Sequence, residues 1–188
     1  MSSEKIFWAD IETTGLRAGS DPIIELAVIV TTADLEALCE RSWVTRPSLN
    51  GADLSPAEFD GLLGDYVRQM HTKSGLLAEV WRGHNKAEVE AEVCALLEEH
   101  FGRERALLGG SSPHFDHSFF AVQMPKLDRR LHYRHFDVSM LETTWKLWRP
   151  EQRKPRDENE AAHRALADIR WSVETARYYR ECVLKGQP

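Results

Sequence analysis

The chain has 188 residues, 42% of them hydrophobic, which suffices for one well-buried core and leaves little for a second. Its formal net charge of −6 argues against a protein that coats long duplexes, because extended nucleic-acid binding needs many cationic phosphate contacts; a ligand with one or two phosphates stays within reach. The opening MSSEKIFWAD lacks the basic flank and apolar run of a secretory signal, no stretch approaches the ~20 apolar residues of a membrane span, and Cys39, Cys94 and Cys182 are too dispersed for a disulfide framework. The expectation is a single soluble domain in the cytoplasm.

In chain order, Lys5–Glu12 reads as a strand and Ile23–Thr31 (IIELAVIVT) as a second, with the turn-forming RAGSDP between them. Leu38–Thr45 completes an antiparallel meander. Ser55 stands as a cap before PAEFDGLL, a short helix, and Lys86–Phe101 places Val89, Val93, Leu96, Leu97 and Phe101 near helical spacing. Arg105–Leu108 before a Gly-Gly reads as a buried strand, Phe115–Met124 as a helix stopped by Pro125, Phe136–Val138 as a short strand and Leu141–Trp148 as another helix. Arg149–Ala162 is highly charged, contains two prolines and has no apolar residue larger than alanine, the composition of a mobile loop. His163–Leu184, with Leu166, Ile169, Val173 and Ala176 in helical phase, closes the chain as a long helix. Strands first, then helices alternating with strands, predict an α/β protein with a mixed sheet and helices packed on it.

The strongest chemical signal is WADIETTGL. Asp10 and Glu12 stand two apart on a strand, and a period of two puts both carboxylates on one face. Two acids on one face repel unless a cation lies between them. A solvated edge strand would tolerate them, but Ile6, Phe7, Trp8, Ala9 and Ile11 mark the strand as buried, and buried acids need partners. A carboxylate pair at a strand end, followed by hydroxyl residues and a glycine turn, is suited to holding a hard divalent ion against a phosphate.

The pattern DxE, a middle Asp and H-x4-D, formed by Asp10 and Glu12, Asp116, and His163 with Asp168, resembles the DEDDh exonucleases. DIETTGL, MHTKSGL (70–76), LHYRHFDVSML (131–141) and HRALADIRWSVETARYYRE (163–181) resemble in particular their oligoribonuclease branch, in the same order and almost end to end. The resemblance implies an RNase H-like mixed five-stranded sheet flanked by helices, and a homodimer. It implies a 3′-to-5′ exonuclease that converts short single-stranded oligonucleotides, 5′-phosphorylated dinucleotides above all, to nucleoside monophosphates. Asp10, Glu12, Asp116 and Asp168 would hold two divalent cations, Mg2+ or Mn2+, and His163 would activate the attacking water. A spacing of five on a regular helix separates His163 from Asp168 by roughly 140°, so both reach one site only if His163 precedes the helix or opens it.

The same resemblance makes Leu16 a wedge between two bases and assigns Ser112, Arg134 and Ser139 to a cap over the 5′ phosphate. His71 and Tyr133 would join that cap from the partner subunit, and Tyr66 stands where the family commonly has a base-stacking Trp. The middle motif departs from the family: GGSSPHFDHSFF replaces a stretch like GNSIGQDRRFL, with His117 and Ser118 where two arginines are usual. RNA versus DNA preference is therefore open, with a DNA dinucleotidase or a proofreading-type exonuclease on longer 3′ ends as alternatives. Two rivals come from other classes. His114, Asp116, His117, His132 and His135 have the chemistry of a zinc site, and a degenerate, non-catalytic nucleotide binder would keep the fold; the presence of all five catalytic positions weighs against the latter.

Overall fold

In the computed structural model, residues 5–152, 154 and 163–184 are described; the expectation of a mobile loop over 149–162 falls largely outside them. Strands β1 (Lys5–Thr13) and β2 (Ile23–Thr32) are covered on both faces, which accounts for their near-continuous apolar runs. Alternation along β1 sends Phe7, Ala9 and Ile11 into one core layer with Leu26, Val28 and Val30. Ile6 and Trp8 enter the opposite layer with Ala27 and Ile29. β3 (Ala37–Val44) extends the antiparallel meander; β6 (Ala106–Gly110) joins β1 in parallel and β7 (Leu131–Asp137) joins β6 in parallel. The result is the mixed five-stranded sheet expected, in the order β3-β2-β1-β6-β7.

Helices α3 (Lys86–Phe101) and α4 (His114–Gln123) supply Val89, Val93, Leu97, Phe119 and Phe120 to the first layer. Helix α7 (Ala165–Leu184) supplies Ala165, Ile169, Val173 and Ala176 to the second. A hairpin of β4 (Ser48–Leu49) and β5 (Ala52–Asp53), followed by α1 (Pro56–Leu62) and α2 (Asp65–Lys73), lies beyond the β2 end of the meander, where Ile24, Phe59, Leu63, Leu76 and Val80 form a third cluster. Ser55 and Glu58 close a reciprocal capping box on α1. Trp8 fits between layers because Gly109 faces it: a Cβ there would lie 2.8 Å from the indole, while Trp8 Nε1 donates to Thr31 Oγ1 at 2.9 Å.

The largest departure from expectation is at β7. It spans Leu131–Asp137 rather than beginning at Phe136, and Val138, expected in that strand, instead opens α6 (Val138–Trp148). β7 is an edge strand with Tyr133 and Arg134 exposed, so the sheet holds it by backbone pairing and its side chains carry no apolar alternation. Asp137 ends it by accepting from Ser139 N as the α6 cap. Helix α2 and the short α5 (Pro125–Asp128) were not marked in the sequence, since they carry few apolar residues and each buries a single side chain, His71 and Leu127 respectively.

Candidate active site

The α7 face of β1 decides where the acids meet. Ile6 and Trp8 pack on α7, so Asp10 and Glu12, the next two positions of that face, point at its first turn, which carries Asp168. One carboxylate oxygen from each of the three lies within 4.8 Å of the others. Asp116 arrives from the opposite layer on the first turn of α4. Beyond the last β1–β6 pair, Trp8 with Gly109, the Ile11 N–H donates to Asp116 Oδ1 at 3.0 Å. The four acids, His163, Glu142 and Trp171 line one cleft of about 360 Å³.

The charges there are in conflict. Burial first, then Asp116, Asp168, Glu12 and Glu25, hold the Asp10 carboxyl well above the usual range. Glu12 is pushed up to about 8 by burial, Asp168 and Glu25, with Arg164 pulling the other way. Burial raises Asp116 to about 7, moderated by its own backbone N–H and that of Ile11. A set of oxygen ligands that cannot all ionise side by side is what a hard divalent cation relieves, so the residues present fit such ions.

His163 stands two residues ahead of α7 with φ at 45°, in the left-handed region that a β-carbon disfavours. That turn takes its side chain out of helical phase, and both His163 and Asp168 line the cleft. Ser112, also at positive φ (57°), meets Ser139 with 3.1 Å between hydroxyl oxygens. Asp137, which the sequence reading missed, organises both: Oδ1 accepts from Ser112 N at 3.1 Å, Ser139 N at 2.9 Å and Ser139 Oγ at 2.6 Å. Its signal was available, an Asp just ahead of a helical apolar run. Arg134 is exposed, its guanidinium 5.4 Å from the Tyr133 ring centre, and Leu16, Tyr66 and Tyr133 are 83%, 72% and 71% exposed.

The structure places His71 inside its own chain. It is 0% exposed within its own chain, its Nε2 donating to the Thr13 carbonyl at 3.0 Å and lying 3.9 Å from Glu12 Oε2. Helix α2 uses its one buried residue to brace the end of β1. Burial lowers its pKa, with the Thr13 carbonyl pulling the other way.

The zinc rival is corrected. Among the described residues only Asp10, Glu12 and Asp168 converge as a possible ion-holding group. His117 bridges His135 at 2.7 Å and Asp128 at 3.0 Å, His132 stacks on Tyr133, and Asp116 turns to Ile11.

Two further residues left no mark in the sequence reading. Glu25, an acid inside the IIELAVIVT run, is 1% exposed and accepts from Arg164 and the Ala165 N–H. Gln123, at the end of α4, fastens the loop that carries Leu16: Nε2 donates to the Ala18 and Asp21 carbonyls at 2.8 and 2.9 Å, and Oε1 accepts from Ile23 N and Lys86 Nζ.

Residues 7–176 match the RNase_T family model, described as exonuclease. The chain is 39% identical over 188 residues to the oligoribonuclease of Streptomyces coelicolor, covering 99% of this chain and 90% of that protein. It is 38% identical over 185 residues to the oligoribonuclease of Chromobacterium violaceum, covering 97% of each. Among solved structures, the exonuclease I of Methylocaldum szegediense superposes with a TM-score of 0.67 at 21% identity, over 95% of this chain and 40% of that one. An E. coli exonuclease I in complex with single-stranded DNA superposes with a TM-score of 0.70 at 15% identity, over 96% and 41%. The chain thus spans about two-fifths of those two proteins, and the likeness to them is one of fold.

Proposed function

This chain belongs to the exonuclease family, in its oligoribonuclease branch, and from that premise we propose that it hydrolyses short single-stranded oligonucleotides from the 3′ end, down to 5′-phosphorylated dinucleotides, using two divalent cations, Mg2+ or Mn2+. The observation that carries the reading is the convergence of Asp10, Glu12 and Asp168 within 4.8 Å, in one cleft with Asp116 and His163. Asp10, Glu12, Asp116 and Asp168 would hold the cations. Bound there, a metal pair stabilises charge on the attacking and leaving oxygens of an in-line displacement.

The chain's own groups divide the remaining work. An imidazole nitrogen of His163 accepts the proton of the attacking water, as general base. Leu16 and Tyr66 present exposed apolar surface to the two bases, by insertion and by stacking. The Ser112 and Ser139 hydroxyls, placed by Asp137 through the Ser112 backbone N–H and the Ser139 hydroxyl, and the Arg134 guanidinium bind the 5′ phosphate. A site that engages one or two phosphates explains how a chain of net charge −6 works on nucleic acid.

We further propose a single catalytic domain acting as a homodimer in the cytoplasm. The exposed Tyr133, Met140, Leu147 and Trp148 of β7 and α6 support a second copy as cover. The free thiols of Cys39, Cys94 and Cys182 suit a reducing compartment, and among the described residues no helix is long and apolar enough to cross a membrane.

The test is a time course on 5′-labelled RNA and DNA of two to seven nucleotides, with and without Mg2+ or Mn2+. Mononucleotide release that needs metal and is fastest on the shortest RNA is the expected result. Release without metal, or a preference for long 3′ ends, overturns the reading; faster turnover of DNA dinucleotides reassigns the sugar.

A further inference from the structure

His163 occupies a left-handed backbone conformation that residues with a β-carbon adopt uncommonly, so contacts around it must help hold the turn. Immediately after it, Arg164 and Ala165 are gripped by Glu25 of β2. Arg164 Nε lies 3.0 and 3.1 Å from the two Glu25 oxygens, Arg164 Nη2 lies 3.0 Å from Oε1, and the Ala165 N–H donates to Oε2 at 3.0 Å. The other edge of the guanidinium reaches Glu79 at 3.2 and 3.1 Å. Glu25 is the cross-strand partner of Glu12, so the grip starts from the strand pair that supplies the metal ligands.

We propose that Glu25 and Arg164 are positioning residues for His163: one buried carboxylate ties the arginine and the first amide of α7 to β2, fixing the left-handed turn that directs the imidazole into the cleft. The inference rests on the reading of His163 as proton acceptor. The geometry favours positioning over plain stability. A buried carboxylate paired with arginine gains little net stability once desolvation is counted, and the Glu79 arm is half-exposed and screened. A bidentate fork crossed with a backbone amide does constrain direction, which an isolated ion pair does not. Like charge gives Glu25 a second effect, since it raises Glu12 while Arg164 lowers it, so charge and geometry must be separated in the test.

The experiment compares Arg164→Gln, Arg164→Lys, Glu25→Gln, His163→Ala and the double variant Arg164→Gln with His163→Ala, all with Mn2+ on a 5′-phosphorylated dinucleotide. Positioning predicts that Arg164→Gln lowers kcat by about a hundredfold, the cost of an ångström-scale misplacement, with KM nearly unchanged. Arg164→Lys keeps the charge and loses the fork, so it should restore Mn2+ affinity fully and kcat only in part. The double variant should be no slower than His163→Ala alone, because a residue acting through His163 has nothing left to act on. Arg164→Gln at wild-type kcat, full rescue of kcat by lysine, or multiplicative losses in the double variant would each overturn the proposal while leaving His163 in place. An active His163→Ala removes the proton-acceptor reading and this inference with it. Glu25→Gln reaches the same clamp from the strand side and reports alongside Arg164→Lys should Arg164→Gln fold poorly.

Discussion

The acid cleft and the exposed rim around it are built on opposite principles. Asp10, Glu12, Asp116 and Asp168 are carried on elements packed into two core layers, and their positions follow from how β1, α4 and α7 pack. Leu16, Tyr66, Tyr133 and Arg134 stand in solvent on loops, a polar helix and an edge strand. In the cleft, burial forces like charges together and leaves a standing demand for cations. On the rim, apolar surface and an arginine stay exposed within the single chain, the surface on which the proposed substrate and subunit contacts draw. The acids' positions are thus fixed by the core, whereas the residues proposed to choose the substrate sit where they cost the fold little.

That contrast is breakable in four ways, taken from the largest effect down. Asp10→Asn should lower the rate of mononucleotide release by at least about 1000-fold, since a metal pair contributes several kcal/mol to transition-state stabilisation. The same variant, metal-free, should melt higher than the wild type at pH 8 because a source of repulsion is gone. A variant that is active, or one that melts lower, would separate Asp10 from the cation site. His163→Ala should cost about 10²- to 10⁴-fold in kcat with Mn2+ binding retained, measured by titration calorimetry; near-normal turnover takes His163 out of the chemistry.

On the rim, Tyr66→Ala should raise KM for a dinucleotide by about five- to hundredfold, the usual value of one base stacked on an aromatic ring, and leave kcat nearly intact. A loss confined to kcat would move Tyr66 from the rim into the catalytic group. The smallest effect is on stability against pH. Glu12 at about 8 and Asp116 at about 7 lie above their unfolded values of 4.5 and 3.8, so the folded state keeps protons that the unfolded chain releases. Their contribution is fully present below about pH 4 and is lost as pH rises through 7 and 8. Thermal melts of metal-free protein should therefore fall between pH 5 and 8, and Mg2+ or Mn2+ should flatten the fall; a metal-free profile that is level or rises across this range refutes the buried-acid account.

Elements with a buried periodic face were legible from the residues alone. α3 runs over the stretch its apolar spacing marks, and β1 and β2 were evident from their apolar runs and the turn between them. The DxE spacing placed two acids on one face, and H-x4-D required His163 to precede or open the last helix, which starts two residues later than expected. Those are local properties: a strand's period and a helix's pitch act within a few residues.

What no local rule contains is which layer each acid enters from and what else comes near it. Asp116 reaches the site only because β6 stops at Gly110 and leaves the Ile11 N–H to be satisfied by a side chain. Glu25 reads as one more strand residue until α7 docks on β2 and brings Arg164 and Ala165 to it. His71 carries no mark of burial in the sequence until α2 folds back and closes it against Thr13. Each of these depends on contacts between positions far apart in the chain, where the need to pair every buried polar group selects the partner. The residue types and their spacing specify the chemistry available; long-range burial decides which of them share a cleft and in what charge state.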